Sequence, residues 1–228
     1  MSQPFVLVFA AGTAEINRQI ALKFAPRHPI AFLCPPQNNL GAVVSAAQDA
    51  GGNATLFETD LTAVDSIAAS IASATAQLGK HCAAAIVQTS EEGGAREVPF
   101  LKQTTAQFRA ATSSQISGVY AFAQAVLPLL TYGGGSAEFP ATLAFVGPVG
   151  GGASRCGRIL EGALVALSRS LGREYGKKYI HVTHVKFAKE HVADGGKLEN
   201  ENRDERVADT LWYLYTQPFS CFANEITI

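Results

Sequence analysis

The sequence predicts an α/β fold: a single doubly wound, mostly parallel seven-stranded sheet with helices on both faces. Three observations predict it. Short apolar runs rich in β-branched and aromatic residues alternate with longer segments of helical periodicity from one end of the chain to the other. The strand runs are continuously apolar rather than alternating, so both of their faces are covered. Glycine-rich interruptions are confined to short connections, none long enough to be an interdomain linker, and the 228 residues fit one domain, 1–228.

The elements follow in order. PFVLVF is a strand, and AAGTAEINRQIALKFA turns helical at Ala14 with Ile16, Ile20, Ala21 and Phe24 on one face. PIAFLC is a second strand, Leu40 to Ala50 a helix, and NATLFETD a third strand ending on an acid. Val64 to Leu78 is helical, CAAAIVQ is a fourth strand, and Thr104 to Leu130 reads as a long helix broken late by Pro128. ATLAFVG makes the fifth strand. The stretch from Arg155 to Tyr179 then has the period of one long buried helix, with Leu160, Ala163, Leu164, Leu167 and Leu171 on one stripe. Ile159, Val165 and Ala166 carry apolar character round its other side, so a sheet is expected on one face and a second subunit on the other. IHVTHVKF is a sixth strand, Asp204 to Thr216 a last helix, and CFANEITI a final strand.

Composition narrows the function classes. A net charge of -1 with scattered basic residues argues against a nucleic-acid partner, which needs a concentrated basic face. Arg173, Lys177 and Lys178 cluster where a helix ends, and there cations meet the dipole favourably. No signal-peptide pattern opens the chain and no run of about 20 apolar residues could span a bilayer, so a soluble, cytoplasmic protein with no membrane partner is expected. Cys34, Cys82, Cys156 and Cys221 are widely spaced with no CxxC, which predicts small core residues rather than a disulfide or metal framework. His181 and His184 lie at an odd spacing in a strand, which directs them to opposite faces and removes them as a shared ligand pair; no metal site is expected.

Four pieces occur in an order and spacing that resemble the short-chain dehydrogenase/reductase family. They are ETDLT at Glu58 to Thr62, TTAQFRAATSSQISGVYAFAQAVLPLL from Thr104 to Leu130, ALVALSRSLGREYGKKYIHVTHV from Ala163 to Val185, and the terminal FANEITI. The likeness covers almost the whole chain. It implies a Rossmann-like domain, NAD or NADP as cofactor, and a homodimer or homotetramer in which the helices of Thr104 to Leu130 and Arg155 to Tyr175 pack against their two-fold mates.

The same resemblance locates the places where this chain departs from the family. A TGxxxGxG turn lets the backbone approach the cofactor pyrophosphate at a helix N-terminus. The matching residues here are Ala10, Ala11, Glu15 and Asn17, with Gly12 one position along as a permissive turn residue. Glu15, in the first helical turn, takes the favourable end of the dipole itself and would repel a diphosphate, or it is an ordinary N-terminal helix acid. Cys34, Pro35 and Pro36 stand where an acid or base would select NAD or NADP, and they support neither. Asp60 and Leu61 match the residues beside the adenine; Asp60 has an equal claim as a turn-forming acid ahead of Thr62. The fourth strand reads Gln88, Thr89, Ser90, Glu91 where the family has NNAG.

The family's catalytic Tyr and Lys fall on Gly157 and Glu161, its Ser on Val146 to Pro148, and its Asn on Gln115; there is no YxxxK in the chain. Tyr175 and Tyr179 fall at and beyond the C-terminal end of the helix, about three turns or more from the expected site, and cannot replace the Tyr. After Phe187 and Ala188 only a brief polar stretch stands in for the substrate lid, which is expected to be shortened. Three readings follow. The first is a pseudo-oxidoreductase that keeps the fold and acts as a small-molecule-binding or assembly subunit. The second is an atypical NAD(P)-dependent oxidoreductase with relocated groups, for which Thr89, Ser154, Arg155, Arg158 and Glu161 are the polar candidates. The third is a non-redox lyase, isomerase or cyclase with Glu161 as its base, since a Glu in a partly apolar cleft suits proton abstraction.

Overall fold

A computed structural model describes residues 3–89, 99–133, 138–149, 155–187 and 202–228. Seven strands form one sheet: β1 (Phe5–Phe9), β2 (Ile30–Cys34), β3 (Ala54–Glu58), β4 (Cys82–Gln88), β5 (Thr142–Pro148), β6 (His181–Phe187) and β7 (Glu225–Thr227). Between them run α1 (Ala14–Phe24), α2 (Gly41–Asp49), α3 (Val64–Leu78), α4 (Thr105–Gly133), α5 (Arg155–Tyr175) and α6 (Arg203–Tyr215). The strand order is β3-β2-β1-β4-β5-β6-β7, and every neighbouring pair is parallel, so the sheet is wholly rather than mostly parallel.

Continuous apolar strands have two buried faces, and two cores result. Val6 and Val8 of β1 pack with Ile16, Ile20 and Phe24 of α1, Val43 of α2 and Leu211 of α6. Phe5, Leu7 and Phe9 point the other way, to Ile67 of α3, Phe122 and Val126 of α4 and Leu164 of α5. Strand order reverses between β1 and β4. In such a sheet the crevice for a ligand opens there, at the carboxyl ends of the strands.

Three expectations need correction. Pro128 does not break α4, which runs on to Gly133; the carbonyl that its missing N–H leaves unbonded belongs to Gln124, on the exposed side where water can take it. The last strand is shorter than CFANEITI, because Cys221 to Asn224 meets β6 mainly through side chains. There the Ala223 carbonyl accepts from Thr183 Oγ1 at 2.8 Å and lies 3.0 Å from His181 Nε2. The helix from Arg155 ends at Tyr175, followed by a 3-10 turn, Gly176–Lys178, and by Tyr179 at a φ of 61°. Within the single chain Leu160, Leu164 and Ser168 of α5 are buried, whereas Ile159, on the side expected to meet a second subunit, is 41 % exposed.

His181 and His184 are both buried and face opposite sides of β6, as their spacing predicts. All four cysteines are free; Cys34 and Cys82 are core residues as expected, but Cys156 is half-buried and Cys221 exposed. Among the described residues no helix is long and apolar enough to cross a membrane. The polar stretch after Phe187 that is expected to form a shortened lid lies at 188–201, outside the described residues.

Candidate functional site

The crevice is built from the turn between β1 and α1 and from the ends of β4 and β5. Thr13 caps α1, its Oγ1 accepting from the Ile16 N–H at 3.3 Å. Ahead of it, the backbone donors at positions 10–12 are bonded within the protein. The Ala10 N–H bonds the Leu33 carbonyl at 2.8 Å and the Ala11 N–H the Phe9 carbonyl at 3.1 Å. The Gly12 N–H bonds the Gln88 side chain, at Oε1, at 3.1 Å.

Gly12 was expected to supply a permissive turn. It is not among the described glycines with positive φ. Its role is close approach: a Cβ at position 12 would stand 2.3 Å from Gln88 Oε1. From Gln88 the bonding continues inward. Nε2 donates to Asn17 Oδ1 at 2.9 Å, and Asn17 Nδ2 donates to the Thr13 carbonyl at 2.9 Å. Asn17 is 0 % and Gln88 1 % exposed, so a polar chain fills the heart of the crevice. Among the described residues, a cavity of about 20 Å³ remains between Gly12, Thr13, Gln88, Thr89, Phe187 and Arg203. That is room for roughly one water.

The other residues singled out in the sequence are dispersed around this point. Glu15 lies exposed on the surface of α1, accepting from Gln19 at 2.7 Å and pairing with Arg18 at 3.3 Å, which is the ordinary role of a helix acid. Cys34 is buried in the core on the α1 side and its thiol is held above the usual range by burial and then by the Glu58 charge. Asp60 Oδ1 accepts from the Thr62 N–H at 2.9 Å and its hydroxyl at 2.7 Å, and these bonds hold the carboxyl below the usual range. Its structural task is therefore the turn into α3. Leu61 is buried, and its carbonyl lies against α4, where a Cβ on Gly118 would come within 2.1 Å.

Thr89 ties β4 to β5: its N–H and its Oγ1 both bond the Val146 carbonyl, at 3.0 and 3.2 Å. Gly157 and Glu161 sit half-buried on α5, one turn apart, and Gln115 falls within α4. Arg155 donates to Gln103 Oε1 at 3.0 Å and stacks over the Phe100 ring, while Arg158 is exposed. Ser90, Glu91 and Ser154 lie outside the described residues. The structure thus joins Gly12 to Gln88 and leaves Asp60, Leu61 and Glu161 on separate elements. The Gln88–Asn17 bond was not anticipated. A polar residue on the buried face of α1, between Ile16 and Ile20, was the signal for it.

The resemblance implies a nicotinamide dinucleotide at this crevice, and the residues present do not fit one. A diphosphate needs the backbone donors of the turn. The Gly12 N–H, beside the N-terminus of α1, is already bonded to the Gln88 carboxamide, whose Oε1 lies in the space that a Cβ at position 12 would enter.

Comparison with known proteins supports the lineage. The enoyl-(acyl carrier protein) reductase family model matches residues 10–200. A short-chain dehydrogenase from Rhodopseudomonas palustris superposes with a TM-score of 0.80 at 23% identity, covering 100% of this chain and 99% of that one. An NADH-dependent reductase, A1-R', complexed with NAD does so at 0.79 and 11% identity, covering 100% of this chain and 95% of that one. The Pseudomonas aeruginosa RhlG/NADP active-site complex gives 0.78 at 18% identity over 98% of this chain and 94% of its own. These identities speak to the fold alone. No curated protein matches the chain in sequence. With the strand order, the crevice between β1 and β4 and a family model spanning most of its length, the chain belongs to the short-chain dehydrogenase/reductase family.

Proposed function

We propose that this protein is a pseudo-oxidoreductase: a short-chain dehydrogenase/reductase scaffold that works without a nicotinamide dinucleotide, as a small-molecule-binding or assembly subunit. One observation carries the reading. The buried Gln88 carboxamide occupies the switch point and takes the Gly12 N–H for itself. The absence of YxxxK supports it, because without a Tyr and Lys pair at positions 157 and 161 the family's proton transfer has no donor.

The test is titration of NADH and NADPH against the purified protein, followed by nucleotide fluorescence and thermal shift. A ligand at about 100 times its Kd stabilises by about 2.7 kcal/mol, a shift of several degrees, so the expected outcome is no shift at about 1 mM. Saturable micromolar binding would overturn the reading and favour the dinucleotide-dependent oxidoreductase, in keeping with the NAD and NADP carried by two of the similar structures.

The half-buried position of Glu161 on α5 keeps a third reading testable, a lyase, isomerase or cyclase with this carboxylate as base. Glu161→Gln should abolish any turnover found by substrate screening; unchanged turnover removes Glu161. The subunit itself is proposed to be a cytoplasmic homodimer or homotetramer, joined through the outer faces of α4 and α5.

A further inference from the structure

We infer that Gln88 and Asn17 form a coupled internal plug, in which two departures from the family pattern compensate one another and together close the crevice to a diphosphate. The inference rests on the reading just given. The resemblance places glycine at position 17 and asparagine at 88. This chain has a carboxamide at the first and an extra methylene at the second. The two residues are 71 positions apart, both buried, and bonded at 2.9 Å.

Their hydrogen bonds run in one direction, from the Gly12 N–H through Gln88 and Asn17 to the Thr13 carbonyl. That direction fixes both amide orientations. Turning either one over would set donor against donor or acceptor against acceptor. An asparagine at 88 is too short to span from Gly12 to Asn17, and a glycine at 17 leaves Gln88 Nε2 without its acceptor. Each single reversal therefore strands a buried polar group. Reversing both removes the Gln88–Asn17 bond together with both of its partners, and leaves the shorter carboxamide at 88 and the Gly12 N–H facing vacated space that water can fill. The vacated space then joins the existing cavity of about 20 Å³, with the Gly12 N–H turned toward it beside the N-terminus of α1. Those are the donors that a pyrophosphate takes.

The experiment compares wild type, Q88N, N17G and the double variant N17G/Q88N by thermal melting and by calorimetric titration with NAD+ and NADP+. Each single variant should melt lower by roughly 3–8 °C, from a stranded group and the size of the chain. The double variant should recover at least about half of the summed loss, because the two sites are in contact. It should also bind one of the dinucleotides at least about tenfold more tightly than wild type. Additive losses overturn the coupling, and a folded double variant that binds no better than wild type overturns the plug. Should the double variant not melt cooperatively, Q88A carries the same binding comparison, and no gain there overturns the plug equally. Micromolar binding by wild type sinks the cofactor-free reading itself; weak binding by wild type and variants alike sinks only the plug.

Discussion

His184 Nδ1 is, among the described residues, the buried side-chain atom left without a hydrogen bond. The ring lies edge-on to Phe145, on the α5 face of β6, near Lys186, Glu225 and Arg169. Burial first, then the Lys186 charge, pull its pKa from 6.5 to about 4, with Glu225 opposing and Arg169 adding a smaller depression. The folded protein therefore holds this imidazole neutral while the unfolded chain titrates near 6.5. Between those values the unfolded state binds the extra proton, so stability rises with pH through the window and is lost as pH falls from 6.5 toward 4. From pH 7 to pH 5 the loss from this group is about 2 kcal/mol. His28 and His181, also lowered chiefly by burial, act in the same direction, so the variant His184→Leu isolates the contribution. Its urea-denaturation free energy should fall less than that of wild type over this range, and parallel pH profiles would refute the assignment. Single residues were the least legible level of this molecule. For Asp60 the sequence offers two readings, a residue beside the adenine and a turn acid, and the turn is legible because its bonds are local, two residues away. Gln88 and Asn17 are joined only by the fold, and sequence spacing carries no trace of a bond across 71 positions.

At the level of elements the period of the apolar residues was a reliable guide. Val64–Leu78 and Cys82–Gln88 have the limits that the pattern implies, because the helix buries one regular face against the sheet and the strand is covered on both of its faces. It failed where one residue's local rule was outvoted: Pro128 is accommodated on the exposed side of α4, and the last strand shortens where side chains replace the ladder. The docking of α4 depends on a contact that the pattern did not reveal. At Gly118 the helix passes so close to the Leu61 carbonyl that a Cβ would lie 2.1 Å away, against backbone rather than a flexible side chain. Gly118→Ala should therefore cost about 1–3 kcal/mol, by forcing α4 off the turn into α3. Gly162, on the exposed side of α5, has nothing within 4 Å of an added Cβ. Gly162→Ala should stabilise by about 0.5–1 kcal/mol, through helix propensity and lost backbone freedom in the unfolded chain. Chemical denaturation of the two variants checks both signs, and a neutral Gly118→Ala would show that α4 yields at this contact.

For the molecule as a whole, the sheet buries one side of α4 and α5 and leaves the question of the other. On that outer side the helices enclose a groove of about 850 Å³, lined by Tyr120, Leu127, Leu167, Leu171 and Tyr175 with Glu174 and Lys178 at its edge. Tyr120 is 56 % exposed, a large aromatic surface to leave in water. The edge carries both signs of charge, and across a two-fold axis Glu174 of one copy can face Lys178 of another, the self-complementarity that an isologous contact requires. A second copy is accordingly the occupant that the proposed homo-oligomer places there. Light scattering should give a dimer or tetramer for wild type. Leu171→Glu puts a carboxylate into the middle of the groove, where pairing the copies would strip it of water without a partner. It should shift the protein toward monomer, by at least about tenfold in the dissociation constant for a cost of about 1.4 kcal/mol or more. Because Leu171 is only half-buried in the single chain, the variant should still fold, with a cooperative melt. A monomeric wild type, or a Leu171→Glu variant that keeps the wild-type mass at low concentration, would place the contact elsewhere and leave this groove to another ligand.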